Sequence, residues 1–478
     1  MKALNTVFIL SDEHSRETSA CYGHEFVRTP NIDHLAAKGT LFENAYTNCP
    51  ICIPARASLQ TGRYVHQTRN WCNGNPYKGD IPGWGHHLKS KGHEVVSIGK
   101  LHFRSQEDDN GFSEEIMPLH VVDGIGDILG CLRKERPPRD CLHLMAENIG
   151  PGETSYQNYD REIAKAAIKW IEAKSAEQPD KPWTLFVSFV CPHFPLIAPK
   201  EFYDLYDPNE IPLPKGFGSK ETIAHPALKE MQSYMDYNQY FDEQKTRIAI
   251  ASYYGMISFV DHLIGQLVAA LKKTGLTKST RVIYSSDHGD NLGARGFWGK
   301  STFNEESAGI PLIMAGPDIE SGKRVTTPVS LVDLAPTLIE FNGESLTEEE
   351  RLELPGRNLM DTENSDYSKR AILSEYHAIG SITGTFMIRY SKWKYIHYVD
   401  YPCQLFDLEA DSDESNDLGE DPAFSDIRKT CYAKLLEICD PEAINQQAFE
   451  DQSAKVAEHG GMESILKRKS IPFTPAPI

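Results

Sequence analysis

The sequence predicts an α/β protein with a mainly parallel sheet between helices and a smaller antiparallel sheet near the C-terminus. Short apolar runs alternate with amphipathic helical patterns over most of the chain, which is typical of a parallel sheet covered on both faces. From about residue 370 the pattern changes to short strand-like runs followed by a helical segment. We therefore expect a large α/β domain over residues 1–370 and an α+β subdomain with an extended tail over residues 371–478.

Apolar runs mark the expected strands of both sheets. Those of the large sheet are Thr6–Leu10, Val95–Ile98, Trp183–Val190, Arg281–Ser286 and Pro311–Met314. Those of the small sheet are Ala371–Leu373, Thr385–Arg389, Trp393–His397 and Gln404–Asp407. Trp183–Val190 is the longer run and suits a strand that is buried on both faces.

Helices are expected where apolar residues recur every three or four positions or where start and stop signals flank a segment. The first is a short helix with Thr29 as N-cap, Pro30 at its first position and Gly39 as its stop, and the second begins at Pro54 and runs to about Thr61. Two longer helices are expected from their apolar faces, one with Ile163, Ala167, Trp170 and Ile171, and one with a stripe from Met256 to Leu271. The last two are a helix over Ser330–Phe341 that is kinked at Pro336 and one helix near Ser425–Ile438.

Composition and charge exclude several classes of protein. The chain has 478 residues, 40% of them hydrophobic and 24% charged, which excludes global disorder. The net charge of −19 argues against a nucleic-acid partner but leaves room for a small anionic substrate bound by a local cluster of cations. No uninterrupted apolar run approaches the roughly 18–20 residues of a membrane helix, and Val7–Leu10 is shorter than the roughly 7–15 residues of a secretion signal. We therefore expect a cytoplasmic protein that binds no membrane.

Acidic side chains follow two of the predicted strands. Asp12 and Glu13 come directly after the first strand, and Asp287 and His288 follow the run that ends at Ser286. Since the carboxyl ends of parallel strands meet at one edge of the sheet, these side chains are expected to converge. Each pair alone is also compatible with an ordinary solvated turn, but together they predict a site for a divalent cation.

Cys52 and Arg56 are the second candidate feature. A helix beginning at Pro54 places Cys52 near its N-terminus, where the helix dipole favours an anion. Arg56 lies about one turn further, where its guanidinium can bind an oxyanion through two N–H groups. Cys49 and Cys52 also form a CxxC pair, so a redox or metal-binding protein is an alternative.

Basic side chains lie just after strands or near the proposed metal site. Lys100 and His102 follow the second predicted strand, His193 follows the third, and Lys300 lies twelve residues after His288. Each alone is compatible with a surface lysine or a structural histidine. Because strand ends converge, the set predicts a cationic crevice beside the metal.

These motifs, taken in order, resemble the formylglycine-dependent sulfatase family of the alkaline-phosphatase-like superfamily. Cys52-Ile53-Pro54-Ala55-Arg56, continued by Thr61-Gly62, is similar to the family's Cys-x-Pro-x-Arg core. The other matching blocks are Tyr22-Gly23, Thr29-Pro30-Asn31-Ile32-Asp33, Gly99-Lys100-Leu101-His102, and Ser286-Asp287-His288-Gly289 followed by Lys300. The sequence Lys100-Leu101-His102-Phe103 and the Asp287-His288 pair resemble the choline-sulfatase and phosphonate monoester hydrolase branches most closely.

The resemblance implies a sulfatase that hydrolyses a small soluble sulfate ester by S–O cleavage. It implies that a formylglycine-generating enzyme converts Cys52 into formylglycine, whose hydrate attacks the sulfur atom with help from Arg56. One divalent metal, Ca²⁺ in preference to Mn²⁺ or Mg²⁺, is then expected to be held by Asp12, Glu13, Cys52, Asp287 and His288.

The remaining roles are also implied by the resemblance. Lys100, His193 and Lys300 are expected to bind the sulfuryl group, with Asn73 as a further substrate-binding residue. One of His193 or Lys300 is the expected general acid, and His102 is the expected base in the second half of the reaction. A homo-oligomer is expected, in which the tail can reach a neighbouring site.

The substrate itself is left open by the sequence. Choline sulfate is one candidate, for which Trp71, Tyr77 and Trp84 are possible parts of an aromatic cage or ordinary core residues. The stretch 104–159 is expected to select the alcohol part of the ester. A phosphonate monoester or phosphodiester hydrolase with the same nucleophile is the main alternative.

Overall fold

The structure is a computed structural model and describes residues 2–139, 141–177, 179–219, 225–364, 367, 369–468 and 473–477. Its strands are β1 (Asn5–Asp12), β2 (Gly39–Phe42), β3 (Ala45–Tyr46), β4 (Val95–Lys100), β5 (Glu114–Leu119), β6 (Ile149–Pro151), β7 (Thr184–Pro192), β8 (Leu196–Ala198), β9 (Thr280–Ser286), β10 (Leu312–Ala315), β11 (Lys323–Val325), β12 (Val329–Ser330), β13 (Ile372–Tyr376), β14 (Thr385–Tyr390), β15 (Trp393–Tyr398) and β16 (Gln404–Asp407).

The α-helices of the described chain alternate with these strands through the large domain and follow the small sheet at the C-terminus. They are α1 (Pro30–Ala37), α2 (Cys52–Thr61), α3 (Val65–Thr68), α4 (Trp84–Ser90), α5 (His143–Glu147), α6 (Ser155–Glu177), α7 (Lys200–Tyr203), α8 (Pro226–Tyr234), α9 (Glu243–Lys273), α10 (Glu305–Ala308), α11 (Leu334–Phe341), α12 (Glu348–Glu353), α13 (Ser425–Ile438), α14 (Pro441–Glu458) and α15 (Gly461–Leu466).

An eight-stranded sheet forms the centre of the molecule, with strand order β11-β2-β10-β9-β1-β7-β4-β5. Strand β1 pairs in parallel with β7 and β9, and β4 pairs in parallel with β5 and β7. Only β10 among these strands runs antiparallel to its neighbours β9 and β2. The expected mainly parallel sheet is therefore confirmed.

Helices cover both faces of this sheet because its central strands are apolar at successive positions. In β1, Val7 and Ile9 pack into a core with α1, α6 and α9, whereas Phe8 and Leu10 pack on the opposite face with α2, α4 and α11. All four side chains are fully buried. An apolar run rather than an alternating pattern is what a strand between two helical layers requires.

Helix α9 is long and apolar enough to cross a membrane, with a mean hydropathy of 1.3 in its most apolar window. Within the fold, 72% of that window is buried. Met256, Val260 and Leu267 pack against the central sheet, so the apolar stripe of α9 is used in the core.

The C-terminal part contains the expected antiparallel sheet, in the order β13-β14-β15-β16. Helix α13 packs on one face of it through Cys431 and Leu435. The other face shares a core with the large domain, where Ile372 and Met387 pack in one cluster with Tyr46. The division at residue 370 stays a prediction, since this shared core continues across it.

Three boundaries differ from the sequence-based expectation. Helix α1 ends at Ala37, and Gly39 is the first residue of β2 rather than a helix stop. A Cβ at Gly39 would lie 2.0 Å from the Met314 carbonyl oxygen, so close strand pairing explains the glycine. Helix α2 begins at Cys52, which puts Pro54 at its third position instead of its first.

The C-terminal half holds two further differences. Helix α11 begins at Leu334, so Pro336 lies in its first turn, where no intrahelical N–H is needed, and it does not kink a helix from Ser330. After α13 come α14 and α15, where one helix was expected. Helix α14 buries only Pro441, Ala448 and Gln452, so its amphipathic pattern is weak.

Candidate active site

The register of the central strands brings the acidic residues together. Ser11 pairs with Ser286 between β1 and β9, so Asp12 and Asp287 emerge side by side at the carboxyl edge of the sheet. Glu13 turns there with a φ of 71°, and its backbone N–H donates to Asp287 Oδ1 at 3.1 Å. The convergence expected from the sequence therefore follows from parallel pairing.

Four buried side chains converge on a candidate metal site. One potential ligand atom from each of Asp12, Cys52, Asp287 and His288 lies within 4.8 Å of the others. Cys52 Sγ is 3.2 Å from His288 Nε2 and 3.8 Å from Asp12 Oδ1. Two carboxylates, an imidazole and the side chain of residue 52 fit a divalent cation, because carboxylate oxygens suit hard ions and imidazole extends the range to transition metals.

Glu13 occupies a different position from the other predicted ligands. The Glu13 carboxylate lies near potential ligand atoms of Asp12 and His193 and is not part of the four-residue cluster. Glu13 Oε2 accepts a hydrogen bond from Lys300 Nζ at 2.9 Å and lies 3.5 Å from His193 Nε2. Burial raises the pKa of Glu13 to about 7, with Lys300 opposing the rise. Glu13 as a metal ligand stays a prediction.

Arg56 connects both acidic strand ends to α2, the helix that begins at Cys52. From the second turn of α2, its Nε donates to Asp287 Oδ2 at 2.8 Å and its Nη2 to Asp12 Oδ2 at 3.0 Å. Its Nη1 donates to the Lys100 carbonyl oxygen at 2.8 Å and to Ser188 Oγ at 3.0 Å. A planar guanidinium is needed for this pattern, because a single ammonium cannot direct donors to both carboxylates and β4 at once.

Lys100 and Arg56 keep Asp12 ionised. Lys100 Nζ lies 2.6 Å from Asp12 Oδ2 at the end of β4. Burial by itself would raise the pKa of the Asp12 carboxyl, but the charges of Lys100 and Arg56 outweigh it and hold that pKa well below its usual range. An ionised Asp12 is the form that binds a cation.

His193 and Lys300 face the same carboxylate from opposite elements. His193 follows β7, and its Nδ1 is 2.7 Å from the Phe194 carbonyl oxygen, which leaves Nε2 directed towards Glu13. Burial, and then the charges of Lys300 and Lys100, hold the pKa of His193 well below its usual value. Burial would lower the pKa of Lys300, but the negative charges of Cys52, Glu13 and Asp12 outweigh burial and raise this pKa.

His102 lies on the opposite wall, after β4. It has a φ of 62°, and its backbone N–H donates to the Leu119 carbonyl oxygen at 2.8 Å. Its Nε2 is 3.0 Å from the hydroxyl of Thr474. Burial and the nearby charges of Lys100 and Arg56 hold the pKa of His102 well below its usual value, so the imidazole is neutral at pH 7.

Asn73 supports the start of the nucleophile helix. Its Oδ1 accepts the backbone N–H of Ile53 at 3.1 Å, and this N–H has no intrahelical acceptor because Ile53 is the second residue of α2. Asn73 also lines the cavity above Cys52. The structure therefore places Asn73 beside Cys52, and its role in substrate binding stays a prediction.

A cavity of about 140 Å³ opens above these residues. The chain between residues 104 and 159 forms one wall of it, through Val122, Gly126, Asp127, Arg139, Cys141, Leu142, Met145 and Tyr156. This position fits the role predicted for that stretch in selecting the alcohol part. Trp71, Tyr77 and Trp84 are instead fully buried core residues outside this lining, so they form no cage here.

The C-terminal tail reaches the same cavity. Phe473 packs against Tyr156 and Phe194 with ring centroids 5.5 and 5.7 Å apart, and the Tyr156 hydroxyl donates to the Thr474 carbonyl oxygen at 2.6 Å. Residues 469–472 and 478, which include Pro472 of the expected extended tail, lie outside the described residues. Within this chain the tail contacts the chain's own site, and its role in a neighbouring site stays a prediction.

Asp160 is a functional candidate that sequence reasoning missed. From the first turns of α6, its Oδ1 and Oδ2 accept the backbone N–H groups of Val190 and Cys191 at 2.8 and 2.9 Å. These residues directly precede His193. The hydrophobic face of α6 is readable in the sequence, but a buried carboxylate on that face has no local signal.

The CxxC alternative is not supported by the geometry. Both Cys49 and Cys52 are buried free thiols, and Cys52 Sγ faces His288 and Asp12. This places Cys52 with Asp12, Asp287 and His288, which together form the acidic cluster, as the sulfatase resemblance implies.

Comparisons with known proteins show the family to which the sequence is similar. The sequence profile described as Sulfatase matches residues 4–343, and that described as N-sulphoglucosamine sulphohydrolase, C-terminal, matches residues 293–440. The choline-sulfatase of Rhizobium meliloti is 33% identical over 474 residues, which cover 94% of this chain and 90% of that protein. Arylsulfatase K of Homo sapiens is 29% identical, over 98% of this chain and 87% of that protein.

Solved structures share the fold. A phosphonate monoester hydrolase of Agrobacterium radiobacter superposes with a TM-score of 0.73 at 22% identity, covering 93% of this chain and 96% of that one. BT1596, a 2-O GAG sulfatase, superposes with a TM-score of 0.71 at 21% identity, covering 99% of each chain. At these identities the likeness concerns the fold alone.

Proposed function

Because the chain belongs to the sulfatase family, a family of sulfuric ester hydrolases, we propose that it hydrolyses a small soluble sulfate ester by cleavage of the S–O bond. The observation that carries this proposal is the position of Cys52. It is the first residue of α2 and lies within reach of Asp12, Asp287 and His288, with Arg56 behind it.

The nucleophile is formylglycine made from Cys52 by a formylglycine-generating enzyme. Burial and the nearby Asp12 raise the pKa of the Cys52 thiol to about 12, so an unmodified Cys52 would stay protonated and be a poor nucleophile. An aldehyde hydrate at this position carries hydroxyl groups instead. The acidic surroundings of residue 52 therefore favour the modified side chain.

Asp12, Asp287, His288 and residue 52 would hold one divalent cation, Ca²⁺ in preference to Mn²⁺ or Mg²⁺, with Glu13 as a further predicted ligand. When bound, the cation supplies a Lewis acid that offsets the charge of the sulfate ester. Arg56 holds Asp12 and Asp287 in position for it. The same guanidinium places positive charge behind the nucleophile.

The chain's own cations complete the site. Lys100, His193 and Lys300 line the cavity and can donate hydrogen bonds to sulfuryl oxygens, with Asn73 beside them. His193 and Lys300, which both face Glu13 at the cavity wall, are the two candidates for protonating the leaving alkoxide. The pKa of Lys300 is raised and that of His193 is lowered, so Lys300 is the one that holds its extra proton in the free site. His102 is neutral and can therefore accept a proton.

A phosphonate monoester or phosphodiester hydrolase is the second candidate. These esters are also tetrahedral anions, and a cationic, metal-binding crevice neutralises them by the same means. The Asp287-His288 pair resembles both the choline-sulfatase and the phosphonate monoester hydrolase branches, so it does not separate the two candidates. The substrate class therefore has to be measured directly.

We also propose a cytoplasmic location and a homo-oligomeric state. Cys49, Cys52, Cys191 and Cys431 are buried free thiols, which suits a reducing compartment. Light scattering on the purified full chain tests the second proposal, and a monomeric mass would contradict it.

Peptide mass spectrometry across Cys52, followed by a substrate panel, tests the function. We expect formylglycine at position 52 and higher kcat/KM for sulfate esters than for phosphonate monoesters or phosphodiesters. Removal of divalent ions should abolish turnover, and Ca²⁺ should restore it best. An intact thiol at full activity would contradict the nucleophile, and a large preference for phosphorus would favour the second candidate.

The Cys52→Ala variant should lose all turnover and keep the far-UV circular dichroism of the wild type. Cys49→Ala is the matched control, because Cys49 is equally buried but lies outside the acidic cluster. Loss of activity in both variants alike would instead support a CxxC function.

A further inference from the structure

Two buried thiols outside the acidic cluster lie in contact. Cys72 Sγ is 3.3 Å from Cys131 Sγ, although the two residues are 59 positions apart in the chain. Cys72 is 0% exposed and Cys131 is 6% exposed. The Gly74 backbone N–H donates to Cys72 Sγ at 3.4 Å, and Asn75 Oδ1 accepts from the thiols of Cys72 and Cys131, at 3.2 and 3.8 Å.

A buried arginine next to this pair lacks an acidic partner. Arg133 is 1% exposed, and no carboxylate in the described chain lies within ion-pair distance of it. Its Nε and Nη1 donate to the Ser381 carbonyl oxygen and to Gln452 Oε1, while its Nη2 has no partner among the described residues. The Arg133 guanidinium lies 4.2 Å from the Phe449 ring centroid, a cation–π contact that offsets part of the cost of its burial, and a negative charge nearby would offset more.

Cys72 is the group that can supply this negative charge. The thiols of Cys72 and Cys131 and the phenol of Tyr376 are the ionisable groups that act on Arg133. The hydrogen bond from Cys131 is the largest cause that lowers the pKa of Cys72, and it raises the pKa of Cys131. The pair is therefore asymmetric, and Cys72 is the thiol that ionises more readily.

The pair joins two segments that shape the active-site cavity. The Asn73 carbonyl oxygen accepts the Asp127 backbone N–H at 2.9 Å, and Asn73 and Asp127 both line the cavity. A Cβ at Gly74 would lie 2.9 Å from Ile128 Cα, so the two backbones are in close contact. Any change in the distance between the sulfur atoms is therefore transmitted to Asn73, which supports α2.

We propose that Cys72 and Cys131 form a redox site that closes into a disulfide on exposure to a peroxide and thereby lowers turnover. The Cys72 thiolate attacks one peroxide oxygen, so that an S–O bond forms, the O–O bond breaks and the departing hydroxide is protonated to water. The Cys131 sulfur then attacks the sulfenic sulfur, so that the S–S bond forms and a second water leaves. Two thiols and one hydrogen peroxide thus give one disulfide and two waters.

Closure changes the geometry next to the nucleophile. The sulfur atoms must approach from 3.3 Å to bonding distance, a movement of about 1.3 Å. Because Asn73 follows Cys72 directly and accepts the Ile53 N–H, this movement displaces the support of residue 52. Misplacement of a nucleophile by about 1 Å can reduce the rate by about 100-fold, so a reduction of at least about 10-fold is expected.

Peptide mapping of the matured full-length protein tests the site without depending on its substrate. Protein treated with hydrogen peroxide, alkylated and digested should yield a Cys72–Cys131 disulfide peptide, which disappears after dithiothreitol. Both thiols found fully alkylated after this treatment would overturn the proposal. Because the readout is chemical, it stays valid even if the sulfatase assignment fails.

Turnover of an aryl sulfate before and after the same treatment tests the effect on the active site. The wild type should lose at least about 10-fold in kcat/KM and recover with dithiothreitol, whereas Cys131→Ser should keep its activity. Cys439→Ser, which removes a half-buried thiol in the C-terminal part, should respond as the wild type does. A disulfide that forms with no change in kcat/KM would overturn the link to turnover.

Discussion

Arg56 shows how much of the site depends on one side chain. Its three nitrogens contact two carboxylates, a backbone carbonyl and the Ser188 hydroxyl, all of them buried. Removing the whole side chain would leave Asp287 without its guanidinium partner and Asp12 with Lys100 alone, which is costly inside the protein. A conservative change therefore isolates the role of the guanidinium geometry better than a deletion does.

The Arg56→Lys variant should fold but turn over poorly. An ammonium keeps the positive charge but cannot donate to Asp12, Asp287 and β4 together, so we expect kcat/KM to fall by about 100-fold. Steady-state kinetics and the bound metal content measure the effect. Arg63→Lys is the control, because Arg63 lies just after the same helix and bonds Glu353 on the surface. Equal kinetics for the wild type and Arg56→Lys would refute the role given to Arg56.

At the scale of secondary structure, helix α6 fixes the end of β7, from which the chain continues to His193. Asp160 binds two successive backbone N–H groups just before His193 and so fixes the direction in which the chain leaves the strand. Burial raises the pKa of Asp160 to about 7, and the two backbone N–H groups oppose this rise. Asp160 is thus a positioning residue that touches no substrate.

The Asp160→Asn variant should lower kcat/KM by about 10-fold without loss of metal. An amide can accept only one of the two N–H bonds, because its nitrogen is a donor, so His193 should move. Glu162→Gln is the control, because this side chain on the same helix is 46% exposed and bonds only Lys165 among the described residues. The pH profile of kcat/KM should change for Asp160→Asn if His193 is displaced, and an unchanged profile would mean that Asp160 is only structural.

At the scale of the whole molecule, a buried carboxylate of the small sheet contacts the large domain. Glu375 of β13 bonds the His66 imidazole at 2.8 Å and lies 3.1 Å from His377 Nε2. Its backbone N–H donates to the Asn48 carbonyl oxygen, four residues before Cys52. The small sheet therefore supports the segment that carries the nucleophile.

The Glu375→Gln variant should lower the free energy of unfolding by about 3 kcal/mol near pH 6. Burial opposes ionisation, but His66 and His377 outweigh it and hold the pKa of Glu375 well below the usual value of a glutamate. A lowered native pKa stabilises the fold above pH 4.5, and this contribution is lost as the pH falls through the native pKa. The raised pKa of His66 adds stability at low pH that is lost as the pH rises through it.

Urea unfolding at pH 4, 6 and 8 measures this dependence. The difference between the wild type and Glu375→Gln should be largest at pH 6 and smaller at both other values. Glu450→Gln, on the exposed face of α14, should match the wild type at every pH. A difference that does not vary with pH would contradict the ion-pair explanation.

Local patterns were enough to predict the central strands and the residues of the acidic cluster. Strand β1 could be read from its apolar run, and Asp12 and Asp287 from their places after β1 and β9. Gly39, Pro54 and Pro336 were misplaced because the same residue types also serve in close strand pairing and in first turns. Helix α14 was missed because it buries few side chains.

The amino-acid sequence alone determined the fold class, the family and the side chains of the acidic cluster, because periodicity and motif spacing act over a few residues and repeat in order along the chain. Only the tertiary structure decided that Glu13 pairs with Lys300, that Thr474 meets His102 and that Cys72 touches Cys131. Each of these contacts joins distant positions and depends on how strands and helices pack, so no local pattern records it.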